Sequence, residues 1–287
     1  MKSALKSAVK VQSANLSFGI LSIYRQELLN MRHFDVIDED QVVVRSNGVG
    51  FSRGHHYPMT RYEQWHQLVY ARLGTLTVTT EAGYWVVPPS RAVIVPAGVA
   101  SQLRLHGRVT MSCLYLRGDF YQEDVTCTVI SVPRLLRELI IHIVELGMLC
   151  RTQPSELRLA LLVTDLLQEV EVEPLQLQVP VESRALQVFR LLEQEPGLCG
   201  SLSAIAERAG VGKRTMERIV RREMGMSFGR WRQQIRMYMA LRMLADNHSV
   251  TDTALSVGYS TASAFVYAFR EIFGRSPGEY FKETSVR

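Results

Sequence analysis

Residues 205–231 read IAERAGVGKRTMERIVRREMGMSFGRW, and residues 253–280 read TALSVGYSTASAFVYAFREIFGRSPGEY. Laid over one another, they are two copies of one pattern. Ala206 matches Ala254 and Gly210 matches Gly258. One inserted residue later, Met216 matches Phe265, Val220 matches Phe269, Arg221 matches Arg270, Gly225 matches Gly274, Ser227 matches Ser276 and Gly229 matches Gly278. Such self-similarity marks one supersecondary unit used twice.

Each copy carries the physical parts of a helix-turn-helix. A short helix (202–209 or 250–257) offers a small Ala206 or Ala254 where a second helix must cross closely. A glycine permits the tight turn, Val211 or Tyr259 plugs the angle, and a longer helix follows. Ser201 or Ser203, and Ser249 or Thr251, can cap the entering helices. In the first long helix Met216, Ile219 and Val220 form the inward stripe. This leaves Arg214, Thr215, Glu217, Arg218, Arg221 and Arg222 outward. In the second, Phe265, Ala268, Phe269 and Phe273 face in, and Thr261, Ala262, Ser263, Val266, Tyr267 and Arg270 face out. A helix from about 227 to 245 joins the units and spans ~28 Å at ~1.5 Å per residue, close to the ~34 Å of one DNA turn. One chain can thus offer two helices to successive major-groove segments.

Charge follows the same division. The net charge of +5 resides wholly in residues 181–287, where 16 Lys and Arg face 11 Asp and Glu, whereas residues 1–180 balance at 17 each. Seven arginines lie between Arg214 and Arg236. A segment so basic suits a polyanion.

The N-terminal half has a different period. Short runs rich in Val, Leu, Thr and Tyr at 41–45, 66–80, 84–87, 92–95, 102–105 and 109–116 are separated by Gly74, Gly83, Pro88-Pro89, Pro96-Ala97-Gly98 and Gly107. They predict a small antiparallel barrel or sandwich. From Pro133 the spacing turns helical. Leu136, Leu139, Ile143 and Leu146 form a stripe that can cover the barrel or serve as a dimer seam, and Pro154 opens a second helix over 155–170. Residues 171–182, with Pro174 and Pro180, read as a linker. The fold class is α+β in two domains: a leader at 1–30, a barrel at 31–131, covering or dimerising helices at 132–170, the linker, and an all-α domain at 183–287. Met31 reads as the start of the folded chain.

The 47% hydrophobic content suits packed cores and excludes a disordered chain. No apolar run reaches the ~18 residues of a membrane span, which points to a soluble, cytoplasmic protein. Cys113, Cys127, Cys150 and Cys199 stand far apart without a C-x-x-C pair, as buried apolar residues do.

Residues 185–283 resemble the AraC/XylS family of transcriptional regulators. The resemblance is densest in GKRTMERIVRREMGMSF (212–228), RMYMALRML (236–244) and VTDTALSVGYSTASAFVYAFREIFGRSPGEY (250–280). It implies double-stranded DNA as the partner, RNA polymerase as well if the regulator activates, and a possible homodimer. The family's base-reading positions fall on Arg214, Glu217 and Arg218 in the first helix and on Ala262, Ser263 and Tyr267 in the second. Lys213, Thr215, Arg221, Arg222, Thr261 and Arg270 then sit where phosphates pass. Arg pairs with guanine and Glu accepts from cytosine, while Ala262 and Val266 offer apolar contact only, so the first helix is expected to dominate specificity.

The N-terminal half resembles the cupin-like effector domain of many family members, through EQWHQLVYARLGTLTV (63–78, with Gly74 at a hairpin) and VPPSRAVIVPAGVASQLRL (87–105). Where metal-binding cupins carry their histidines, this chain has Arg61, Glu63 and Ser101. His55, His56 and His66 lie nearby in other spacing, so no metal and no cofactor is expected. His106, His142 and His248 read as surface or capping residues. A small-molecule effector in the barrel would meet inward candidates Trp65, Gln67, Tyr70, Trp85 and Tyr115. Two alternatives stand beside a ligand-gated regulator. One is a cupin-type enzyme with a regulatory tail, and the other a ligand-independent regulator whose barrel serves dimerisation or partner binding.

Overall fold

The computed structural model describes residues 39–51, 54–121, 126–173, 175–198 and 200–282. The leader, the start at Met31 and Cys199 lie outside the described residues. Of the two units into which the chain divides, the second, Val42–Arg287, is compact and carries the sheet and all the α-helices among the described residues.

The amino-terminal half of this second unit is a ten-stranded antiparallel sheet. The strands are β1 (Val42–Phe51), β2 (His55–His56), β3 (Trp65–Thr80), β4 (Gly83–Val87), β5 (Arg91–Val95), β6 (Gln102–Arg117), β7 (Thr128–Ser131), β8 (Met148–Cys150), β9 (Val172–Glu173) and β10 (Gln176–Leu177). They are ordered β8-β1-β6-β3-β5-β7-β9, with β2 on β6 and β4 between β3 and β10. β3 and β6 are the long central pair. Gly74 and Gly107, expected at chain turns, instead lie inside these strands with φ of +76° and +67°. The β3/β6 register shifts on both sides of Leu73, and a side chain at Gly74 would collide with the Arg108 carbonyl. Glycine therefore allows the sheet to bend without breaking.

The bend explains why the strand segments are buried on both faces. In the first half of β3, Leu68 and Tyr70 join Ala92, Ile94, Leu114 and Leu116 against α1 (Arg134–Leu146) and α2 (Pro154–Glu169). The alternate residues Val69 and Ala71 join Val93, Val95, Met111 and Cys113 in the core shared with Leu76, Val78, Trp85, Leu103 and Leu105 from the other half of the fold. Leu136, Leu139 and Ile143 of the predicted stripe are buried against the sheet, with Ile140 beside them. Leu146 alone of the stripe remains exposed, so its other three residues are used in covering the barrel.

Residues 171–182, expected to be a linker, are partly recruited into the sheet. Val172–Glu173 pairs with β7, and Gln176–Leu177 pairs with β4. Leu175 and Leu177 are fully buried, and this apolar burial is what holds the segment down.

The carboxy-terminal half is helical. It comprises α3 (Ser183–Gln194), α4 (Leu202–Arg208), α5 (Lys213–Met224), α6 (Phe228–Ala245), α7 (Val250–Ser256), α8 (Ala262–Phe273) and α9 (Pro277–Lys282). Ser201, Ser227, Ser249 and Thr261 each cap a helix by accepting a backbone N–H three residues on. Each such bond satisfies a donor that the first turn leaves without a partner. Trp231, Ile235 and Tyr238 through Leu241 are buried in the middle of α6, on which both helix-turn-helix units pack.

Candidate nucleic-acid interface

The two copies of the repeat fold alike down to single hydrogen bonds. In the first, Ala206 is fully buried, Gly210 turns with φ +65°, and the Val211 amide donates to the Ala206 carbonyl at 2.9 Å. In the second, Ala254 is fully buried, Gly258 turns with φ +84°, and the Tyr259 amide donates to the Ala254 carbonyl at 2.8 Å. The long helices α5 and α8 both end on a left-handed glycine, Gly225 and Gly274. At those φ values any other residue is strained.

The buried stripe of α5 is Met216, Ile219, Val220 and Met224, and that of α8 is Phe265, Ala268 and Phe269. The positions expected to meet DNA are left on the other side. Lys213, Arg214, Glu217, Arg218, Arg221 and Arg222 are exposed and Thr215 is half-buried. Thr261, Ser263, Tyr267 and Arg270 are exposed and Ala262 is half-buried. Tyr267 is 70% exposed, unusual for an aromatic side chain. The 18 residues of α6 span ~27 Å between the units.

The basic run is not one uniform surface. Arg222 donates to the Glu223 carboxylate at 2.8 Å, and the other Glu223 oxygen accepts the amides of Val181 and Glu182 at 2.9 and 3.2 Å. Burial raises the Glu223 pKa, but Arg222 and the two amides outweigh it and hold the carboxyl below its ordinary value. Arg232 donates to the carbonyls of Gly200 and Leu198, and Arg236 to those of Pro196 and Leu198. These two arginines staple the loop between α3 and α4, so part of the charge that the sequence offered to a polyanion is spent inside the fold.

Arg242 goes to the barrel. It donates to Nδ1 of His106 at 2.8 Å and lies 3.5 Å from Glu193, which also accepts from the Tyr84 hydroxyl at 3.0 Å. His106 Nε2 lies 3.1 Å from the Thr77 hydroxyl. Tyr84 packs edge-on against Phe189, which tilts onto Trp231. On the same side the Tyr238 hydroxyl donates to the Gln176 carbonyl and the Trp231 indole to that of Gln178. Arg91 of the sheet, 3% exposed, pairs with Glu173 at 2.9 Å and sits over the Tyr280 ring of α9. Barrel and helical domain thus share one buried core. His106, expected at the surface, is an interdomain residue. Burial, then Arg242 and Arg104, push its pKa down to about 3. His142 and His248 are exposed, as expected.

The expected effector residues do not form a single group. Gln67 and Tyr115 are register partners, and Trp65 lies two residues before Gln67 on the same face. Tyr70 points the other way, into the helices that cover the sheet, because its parity along β3 is opposite. Trp85 is interior but pairs with Val78, at the far end of β3. Three residues that sequence reasoning missed join the first group. Arg45 pairs with Tyr115 in register and stacks over Trp65 at 4.8 Å. Asn47 lies two residues further along the same face, and Tyr62 meets Tyr115 edge-on at 5.1 Å. A charged and an amide side chain at alternate positions in a valine-rich strand was the available signal.

The positions that would hold a cupin metal are occupied otherwise. Arg61 and Glu63 form an exposed ion pair at 2.9 Å, and Ser101 bridges to Thr60. His55 stacks on Phe51, and His66 accepts the Ala97 amide at 3.3 Å. Among the described residues no three His, Cys, Asp or Glu side chains gather to hold a metal, and no helix is long and apolar enough to cross a membrane.

Residues 205–283 match a family described as a helix-turn-helix domain. Over 214 residues the chain is 29% identical to the HTH-type transcriptional regulator NimR of Escherichia coli (strain K12), a match covering 75% of this chain and 78% of NimR. It is 33% identical over 102 residues to the HTH-type transcriptional regulator RipA of Corynebacterium glutamicum, covering 36% of this chain and 31% of RipA. The crystal structure of unsaturated fatty acid bound ToxT from Vibrio cholerae aligns over 87% of this chain and 96% of that one, with a TM-score of 0.37 and 12% identity.

Proposed function

We infer that this chain, whose helix-turn-helix match and likeness to named regulators support a DNA-binding transcriptional regulator, is of the AraC/XylS type, reads two successive major-groove segments with α5 and α8 and is gated by a small molecule held in its barrel. The observation that carries the reading is the division of surfaces. The outward residues of both long helices are open to solvent, while the barrel is buried against α3 and α6 on the inner side. An effector that alters the barrel can therefore bias the scaffold that spaces the two helices without covering either one.

In this reading Arg214, Glu217 and Arg218 contact base edges in one segment, and Ala262, Ser263 and Tyr267 in the next. Lys213, Thr215, Arg221, Arg222, Thr261 and Arg270 hold phosphates. The protein performs no chemistry of its own and works in the bacterial cytoplasm, with RNA polymerase as a second partner if it activates. The exposed Leu135, Leu146, Leu161 and Leu162 on α1 and α2 favour pairing of two chains there. Selection of sites from a random DNA pool by the full chain tests the proposal. Two recurring sequence blocks about one helical turn apart are expected; a single block, or none, would refute the bipartite reading.

A further inference from the structure

The inner face of the sheet between β1 and β3 carries polar groups that the fold does not use. Gln67 is 6% exposed, yet its Oε1 has no hydrogen-bond partner among the described residues, and neither has Asn47 Oδ1. Both atoms are shielded from solvent. β6 lies between their strands, and register places Arg45, Tyr115 and Gln67 in one row across the sheet and Asn47, Cys113 and Val69 in the next. A buried acceptor without a donor loses its hydration and regains nothing, so two on one face are a standing destabilisation that folding alone does not recover. Aromatic rings frame them: Trp65 beneath the Arg45 guanidinium, and the Tyr62 and Tyr115 pair.

We propose that this face, bounded by Asn47, Gln67, Tyr62, Trp65 and Tyr115, is the binding site of a small neutral planar molecule that carries N–H or O–H donors. The donors satisfy the two amide oxygens and the ring system stacks among the aromatics. A cation is disfavoured because the Arg45 guanidinium stands in the same row. This inference rests on the reading of the barrel as a sensor and gives that sensor its ligand class.

Benzamide, phenol and toluene, three rings of similar size of which only the first two donate hydrogen bonds, serve as probes of the full chain. Binding is followed by tryptophan fluorescence and melting temperature, and DNA affinity is measured in the same titrations. Benzamide or phenol is expected to bind about tenfold or more tightly than toluene, a preference worth one net hydrogen bond. Gln67→Leu and Asn47→Leu are each expected to abolish that preference. Gln67→Leu is further expected to keep or raise the melting temperature, since it removes an unpaired buried oxygen. Equal binding of toluene, or no binding of any probe, overturns the ligand class. A Gln67→Leu variant that melts several degrees lower and keeps the preference shows that the amide serves the fold, and this too overturns the proposal. Selective binding that leaves DNA affinity unchanged upholds the site and removes the gating reading.

Discussion

Arg242 on α6 donates to Nδ1 of His106 on β6 across the junction between barrel and helical domain. With Nδ1 accepting, Nε2 carries the ring proton and donates to Thr77. The bond therefore requires a neutral imidazole, and it places a titratable group where the two domains share their core. Protonating His106 would set two cations against each other beside Glu193 and Tyr84.

The junction should loosen in acid. Folded His106 titrates near 3, whereas in the unfolded chain it titrates near its ordinary 6.5. Between these values the unfolded state binds a proton that the folded state refuses. The contribution of His106 is thus intact above pH 6.5 and is lost progressively as pH falls toward 3, at up to about 1.4 kcal/mol per pH unit. Urea unfolding at stepped pH should show a steeper loss in the natural chain than in His106→Asn. Parallel curves would place the acid sensitivity elsewhere.

Arg91, almost wholly buried, pairs with Glu173. Arg91→Ala leaves Glu173 without its cation and removes the contact with Tyr280, so it should cost about 3 to 5 kcal/mol of unfolding free energy. A drop within 1 kcal/mol or so, as for an exposed pair, would contradict that burial.

The arginines of the basic run should separate by measurement. Arg221 is exposed and carries no ion pair among the described residues, and its replacement by Ala should flatten the salt dependence of DNA binding by about one unit of slope. Arg222, already paired with Glu223, should change the slope less. An equal effect from both would mean that the Arg222–Glu223 pair opens on DNA.

Arg218 lies one turn beyond Arg214 on the exposed face of α5, so the two can reach neighbouring base edges. Arg218→Ala should cost about 1 to 3 kcal/mol on the specific site, much less on unrelated DNA, and almost nothing in melting temperature. Unchanged base preference in sites selected by the variant would assign Arg218 to phosphate.

Arg236 makes the opposite prediction. Its two bonds to the α3–α4 loop carbonyls are internal, and its guanidinium also packs where Gly258 leaves room. Arg236→Ala should lower stability by about 1.5 to 3 kcal/mol and leave the salt slope of DNA binding alone. A flatter slope with unchanged stability would return Arg236 to the DNA surface.

The helix-turn-helix pair was legible in the sequence because its determinants are local. Ala206 and Ala254 for close crossing, Gly210 and Gly258 for the turn, and a 3.6-residue stripe for burial all act within one unit, and duplication made the pattern visible. The antiparallel strands were legible for the same reason, through alternation and turn residues. What tertiary structure alone decided depends on partners distant in the chain. Gly74 and Gly107 look like hairpin residues in sequence, yet they serve a bend because β3 and β6 run past each other there. Tyr70 and Gln67 stand three residues apart, and only the pleat and the position of α1 and α2 put one against the helices and the other inside. Arg218 and Arg236 are the same residue type on exposed-looking helices. Only the fold shows that Arg236 is held internally, by carbonyls about forty residues away in the chain, at Pro196 and Leu198, while Arg218 is left exposed. Local propensity and period can be summed over a window of sequence, whereas the burial of a charge depends on what the rest of the fold brings beside it.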